Sequence, residues 1–181
     1  MTTTFKQPRL ALKLALMAAA AALGASLSAP GQAAQATANA TGTVVTPIAI
    51  VAATDLVFGS FAPGAGGTVT VSNSGARTTS GAILMTGASS SAARFNITGE
   101  PSTTYSITHS GSATLTSGAN SMALAKSSDL TGANVTSGNV ATGTLDGSGA
   151  QSLFVGGTLT VGAAQAPGVY TGTVVATVEY N

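Results

Sequence analysis

Cysteine and tryptophan are absent from this chain, histidine occurs once, and charged residues make up 6% of it. Each shortage closes off a class of function. Without cysteine there is no disulfide framework and no thiolate-ligated metal, so the fold must be held by its core and its sheet hydrogen bonds. Without tryptophan, and with few tyrosines, the sugar-stacking walls of a glycosidase cleft are missing. A charged fraction about a quarter of the usual share points toward a membrane or a fibre.

The catalytic inventory is equally thin. His109, the one histidine, is the sole side chain suited to serve a serine nucleophile as base, or to offer a metal an imidazole. It sits between Thr108 and Ser110 at a strand end, with no Gly-x-Ser-x-Gly elbow beside a strand-to-helix crossover, and is read as an ordinary strand residue. Asp55, Asp129 and Asp146 stand before a strand or in turns, where carboxylates shape the backbone. Asp146-Gly147-Ser148-Gly149 lacks the alternating acids of a calcium loop. Gly64, Gly66 and Gly67 lack the strand and helix that frame a phosphate loop. The expectation is a protein with no enzymatic activity, no cofactor and no metal.

What is present begins with an export signal. Lys6, Arg9 and Lys13 precede an apolar run from Leu14 to Leu27, and small residues follow at Gly31, Ala33, Ala34 and Ala36. Residues 1–36 are expected to be a secretory signal peptide cleaved after Ala33 or Ala36; the alternative, an uncleaved anchor, is disfavoured by the short apolar run and the small residues that end it. Residues 37–181 then form a single domain, with no membrane span in the mature chain. Its cations are Arg77, Arg94 and Lys126, against Asp55, Glu100, Asp129, Asp146 and Glu179. That slightly acidic balance gives nucleic acid no footprint.

Beyond Ala36 the chain is chiefly Thr, Ser, Gly, Ala and Val, a composition that favours pleated sheet punctuated by turns. Strands are expected at Ala38–Val51, interrupted by Pro47, at Asp55–Phe61 with a bend at Gly59, and at Thr68–Ser72 between turns at 63–67 and 73–75. Ala82–Thr86 suits a central strand buried on both sides or a strand whose face is ambiguous, since period alone does not decide. Ala93–Gly99 and Thr104–His109 are expected to pair through Gly99–Ser102, with Arg94 and Glu100 meeting at the hairpin end. Further strands follow at 113–116, 121–126, 142–145, 152–155 and 158–161, with a surface loop over 127–139. Eight to ten short strands and no helix fit a two-layer antiparallel β-sandwich. An outer-membrane barrel would need two aromatic girdles that three tyrosines and a few phenylalanines do not supply. A β-solenoid would need a fixed repeat, and none is visible.

The last fourteen residues carry the strongest pattern. From Gly168 to Asn181, Tyr170, Gly172, Val174, Ala176, Val178 and Tyr180 share one face of an extended strand, and Val169, Thr171, Thr173, Val175, Thr177 and Glu179 share the other. The alternation persists to the penultimate residue, where most domains fray.

A penultimate tyrosine, a glycine fourteenth from the end and alternating apolar residues between them resemble the terminal strand of fimbrial subunits assembled by a chaperone and an usher. That resemblance implies an immunoglobulin-like antiparallel β-sandwich, either closed on itself or left incomplete and completed by a donated strand. Over nearly the whole mature chain, the segments Asp55–Phe61, Gly66–Val69, Ala93–Gly99, Tyr105–Ile107 and Gln165–Gly172 resemble an exported bacterial family, domain of unknown function 4402. That family is similar in pattern to the spore coat U and Mat-type fimbrillin families. The disulfide common in pilins is missing here.

The resulting expectation is a non-enzymatic structural subunit of a cell-surface assembly, built through its edge strands. Gly168, Tyr170, Val174, Ala176, Val178 and Tyr180 would form the assembly strand, and Ala38, Ala40, Gly42 and Val44 a donor segment whose small side chains bury little area. Partners would be further copies of the chain and, in the periplasm on the way to the surface, a chaperone and an usher. The alternative is a monomeric secreted adhesin or carbohydrate-binding sandwich, marked by exposed aromatics on a flat face.

Overall fold

The computed structural model describes residue 31 and residues 33–181, so the expected signal peptide lies almost wholly outside the described residues. The chain divides into two units, through Thr43 and from Val44 to Asn181. The described residues of the first, 31 and 33–43, are exposed and form neither strand nor helix. The expected strand at 38–51 therefore starts later, and the following description concerns the second unit.

Twelve strands make up this unit: β1 (Ala49–Thr54), β2 (Phe61–Ala62), β3 (Gly67–Val71), β4 (Arg77–Ser80), β5 (Ile83–Leu84), β6 (Ala93–Thr98), β7 (Thr104–Gly111), β8 (Thr114–Ser117), β9 (Asn120–Asp129), β10 (Thr142–Thr144), β11 (Ala150–Val161) and β12 (Val174–Tyr180). All strand pairs are antiparallel, and the fold is an all-β sandwich. Among the described residues no helix is long and apolar enough to cross a membrane.

β11 is the spine. Its first half pairs with β6 and its second half with β3 along one edge, while β9 runs along the other. β1 extends this sheet beyond β6, β4 beyond β3, and β8 beyond β9. The second sheet has the order β10-β7-β12, and β2 pairs separately with β5.

The separate strands expected at 152–155 and 158–161 are one, since β11 runs continuously through Gly156-Gly157. The glycines serve close packing. A Cβ at Gly156 would run into the Val71 carbonyl oxygen, and one at Gly157 would lie 2.9 Å from Leu124 Cδ1 and 3.3 Å from Phe58. With no side chain at Gly157, the buried face Leu153, Val155, Leu159 and Val161 continues across both halves of the strand.

β6 and β7 do not form the expected hairpin. Both edges of β6 are taken, by β1 and β11, and β7 lies in the other sheet. Residues 99–103 carry the chain across the sandwich, with Ser102 in the left-handed region at φ 58°. Phe95 and Ile97 thus face Tyr105 and Ile107 through the core rather than beside them. Ala82–Thr86 also departs from expectation: only Ile83–Leu84 is strand, and Ile83 and Met85 are exposed.

The core has two parts. The first lies between β6 and the start of β11 on one side and β7 and β12 on the other, around Ile97, Tyr105, Leu145, Leu153 and Val178. The second surrounds Phe58, Val69, Val71, Met122, Leu124 and Leu159. Only the first is covered by the three-stranded sheet. The second is overlaid by the irregular segments 55–62 and 165–173, and the candidate site opens between them.

Candidate assembly groove

The candidate site begins with β12. β12 pairs with β7 from Val174↔Gly111 to Tyr180↔Tyr105, and nothing pairs with its other edge. Upstream, Thr171 exchanges both main-chain bonds with Thr116, at 2.9 and 3.0 Å, and the Thr173 carbonyl accepts the Ser112 N–H at 2.8 Å. Main-chain groups alternate between the two edges of a strand. Residues 171, 173, 175, 177 and 179 therefore turn theirs toward β8 and β7, and Tyr170, Gly172, Val174, Ala176 and Val178 turn theirs to the open edge. Side chains follow the same parity: Val174, Ala176 and Tyr180 are half-buried and Val178 buried, while Val175, Thr177 and Glu179 are exposed.

The assembly residues expected from sequence thus keep their common parity, but they do not form one regular strand. Strand structure starts at Val174, and Gly168–Thr173 instead packs against β8. Glycine permits that close approach: a Cβ at Gly172 would lie 2.7 Å from Leu115 Cδ2, and one at Gly168 would lie 2.6 Å from Ser117 Oγ. Tyr170 turns into the second core, where its hydroxyl donates to the Ala166 carbonyl at 2.8 Å and accepts from Gln165 Nε2 at 2.6 Å. A tyrosine that bonds back to the backbone a few residues upstream of a strand is the corner that precedes strand F in immunoglobulin-like sandwiches.

The strand order agrees with that assignment. β1, β6, β11 and β9 follow the A-B-E-D order of the larger sheet, and β7 and β12 stand as C and F. Strand G, which would lie against the outer edge of F, has no counterpart among the described residues.

At the Val174 end of that edge lies a groove of about 1000 Å³. One wall runs from Ala52 to Pro63 and the other from Gln165 to Val174, over a floor that includes Phe95, Leu115, Met122 and Leu124. Val57 and Val169 stand exposed on the two walls. On the floor Met122 is 3% exposed and Leu124 6%, while Leu115 is half-buried. β1 borders the groove as an edge strand with no charged residue and no proline, a combination that leaves an edge open to pairing.

Outside the groove, Thr46, Glu100 and Tyr180 form a closed ring of hydrogen bonds. Tyr180 donates its hydroxyl hydrogen to the Thr46 carbonyl at 2.8 Å and accepts the Glu100 N–H at 2.6 Å. The Glu100 carboxylate accepts the Thr46 N–H at 2.9 Å. That bond holds the Glu100 carboxyl below its ordinary value. Glu100 therefore serves Thr46 rather than the expected partner Arg94, a role that a sequence separation of 54 residues conceals.

The donor residues Ala38, Ala40 and Gly42 lie in the first unit and Val44 at the start of the second, and all four are exposed. Val44 is 98% exposed. Residues 33–47 belong to no strand.

The remaining polar residues hold the scaffold. His109 Nε2 lies 2.9 Å from the Val140 carbonyl and 3.0 Å from Ser128 Oγ, which itself accepts the Val140 N–H at 3.0 Å. This fastens the end of the 130–141 loop to β7 and β9. Ser128 is 4% exposed and lies outside the groove. Asp129 accepts the Gly132 and Ala133 N–H groups, both at 2.9 Å. Asp146 accepts the Ser148 hydroxyl and the Ala150 and Ser148 N–H groups, bonds that lower its carboxyl in that order of importance. Burial raises the Tyr105 hydroxyl. No three potential metal-ligating side chains cluster among the described residues. No aromatic among them is exposed, and the Tyr170 and Tyr180 hydroxyls are both engaged.

The model of a domain of unknown function, DUF4402, matches residues 48–180. The chain belongs to the DUF4402 family. The match begins just after Pro47 and ends at Tyr180, so it contains β1, β12 and both groove walls. No curated protein and no solved structure matches the chain.

Proposed function

We propose that this DUF4402 protein is an exported, non-enzymatic structural subunit of a cell-surface assembly, fimbria-like or coat-like, that grows by strand addition at the groove. The observation that carries the reading is the free edge of β12, where strand G of an immunoglobulin-like sandwich would lie, with an open groove at its Val174 end. The added strand is the amino-terminal segment of a neighbouring copy, with Ala38, Ala40, Gly42 and Val44 facing inward.

Small donor side chains suit a floor on which Met122 and Leu124 are already buried. Main-chain bonds to Tyr170, Gly172, Val174, Ala176 and Val178 would supply most of the affinity, at about 0.5–1.5 kcal/mol each. Valine, alanine and glycine would set register without having to displace Met122 or Leu124. The signal peptide takes the chain to the periplasm, where a chaperone and an usher would guard the edge before assembly at the surface.

The test is the full mature chain beside a version trimmed of residues 37–44, both followed by heat-resistant ladders on a denaturing gel and by sedimentation. The reading expects ladders from the first and monomers from the second. Trimming without effect on the ladders would remove the donor segment from the account.

A further inference from the structure

Arg77 and Lys126 direct their side-chain hydrogen bonds to main-chain carbonyls, and each spans a glycine in the left-handed region. Arg77 Nη1 donates to the Phe58 carbonyl at 2.9 Å and to the Ser60 carbonyl at 3.4 Å, on either side of Gly59 at φ 68°. Its Nη2 donates to the Met85 carbonyl at 3.4 Å. Lys126 Nζ donates to the Ser110 carbonyl at 2.7 Å and to the Ser112 carbonyl at 3.1 Å, on either side of Gly111 at φ 88°. Both bends need glycine: a Cβ at Gly59 would strike Arg77 Nη1, and one at Gly111 would meet the Thr173 carbonyl oxygen.

Neither cation lines the groove, yet both bends bear on it. Phe58, Gly59 and Ser60 belong to the first wall, and Thr173 and Val174 to the second. Gly111 pairs with Val174, the Ser112 N–H donates to the Thr173 carbonyl at 2.8 Å, and the Ser112 hydroxyl oxygen accepts the Thr173 N–H at 3.0 Å. Arg77 therefore acts on the first wall directly, and Lys126 on the second through Ser112. A hydrogen bond from an ionised donor is about twice as strong as a neutral one, so these are the strongest polar contacts at either bend.

We propose that Arg77 and Lys126 are positioning residues for assembly: each grips one glycine bend by its carbonyls and so fixes one wall of the groove where an added strand meets it. This inference rests on the assembly reading above. A wall left loose has to be ordered when the strand arrives, and that ordering weakens the association. Two walls held separately also make two separable effects.

The test uses the full mature chain and reads two quantities, amide exchange in the monomer and ladder yield on a denaturing gel. Arg77→Ala should speed exchange about tenfold at Val57 and Met85, whose N–H groups bond to Ser91 and Ser60, and leave Ser112 and Thr173 unchanged. Lys126→Ala should do the reverse. Each should lower ladder yield about tenfold, the effect of losing charge-assisted bonds. Lys126→Arg, which keeps a cation of similar reach, should stay near the starting yield, and Arg77→Lys, with fewer donors, should fall between. Asn73→Ala serves as the control, because it weakens the core from outside the groove.

Ladder yields in Arg77→Ala and Lys126→Ala that fall no further than in Asn73→Ala would overturn the positioning role and leave the assembly reading standing. So would a loss in Lys126→Arg as large as in Lys126→Ala. A mature chain that forms no ladders before any substitution would overturn the assembly reading and this role with it. The two failures are distinguishable because only the second is seen in the unsubstituted chain.

Discussion

Asn73 Oδ1 accepts the Gly156 N–H at 2.8 Å in the middle of β11, and the Ser127 hydroxyl at 2.9 Å from β9. Both Asn73 and Ser127 are fully buried. One amide oxygen therefore ties the turn after β3 to the two longest strands. Asn73→Ala strands a main-chain donor and a hydroxyl in the core and should destabilise the domain by about 2–3 kcal/mol in denaturant unfolding. Gly156→Ala should cost at least as much, since its Cβ meets the Val71 carbonyl, a main-chain group with no freedom to withdraw.

Tyr170→Phe keeps the ring in the second core and removes the bond to the Ala166 carbonyl. The expected cost is about 1 kcal/mol in unfolding. Because Gln165–Val174 forms one wall of the groove, the same change should lower assembly yield more than Phe61→Leu on the opposite wall does, when yields are compared at equal stability.

Acid should weaken the domain through Glu100 and Asp146. Both carboxyls are depressed from ordinary values of 4.5 and 3.8, by the Thr46 N–H and by the Ser148 hydroxyl first. A depressed carboxyl contributes stability that is fully present above its unfolded value and disappears as pH falls through the folded one. The loss should therefore set in below about pH 4.5 and continue beneath pH 3.8. Glu100→Gln and Asp146→Asn should each flatten the slope of stability against pH in that window, as read from unfolding midpoints.

His109→Ala should free the 130–141 loop without touching the groove. Faster amide exchange at Val140 and a loss of about 1 kcal/mol or less are expected. Ladder formation should be unchanged, because neither His109 nor Ser128 lines the groove.

Local pattern made part of this molecule legible before its structure. Ala93–Thr98 alternates buried and exposed residues without a break, and Val174–Tyr180 keeps the expected parity. The turns at 63–67 and 73–75 stand where glycine and proline placed them, and Gly59 bends the chain at φ 68°. Pairing was less legible. The proximity of β6 and β7 along the chain suggested a hairpin, but which edge of β6 is free depends on β1 and β11, which lie far off in sequence.

Glycine was the other source of error. Gly156-Gly157 has the local signature of a turn, and only the approach of Val71, Leu124 and Phe58 explains why a strand runs through it. The same limit hid the Thr46–Glu100–Tyr180 ring, whose members are separated by 54, 80 and 134 residues. The groove itself has no sequence signature, because its two walls, within residues 52–63 and 165–174, lie about a hundred residues apart in the chain.

Amide hydrogen exchange along β12, in the monomer and in the assembled protein, tests that central claim most directly. In the monomer Val174, Ala176 and Val178 present their N–H groups to the open edge, so they should exchange faster than Val175, Thr177 and Glu179, which bond to β7. On assembly the first three should become protected by about tenfold or more, in alternation, as a strand pairs with the edge. Assemblies in which these three amides exchange as they do in the monomer would contradict the account.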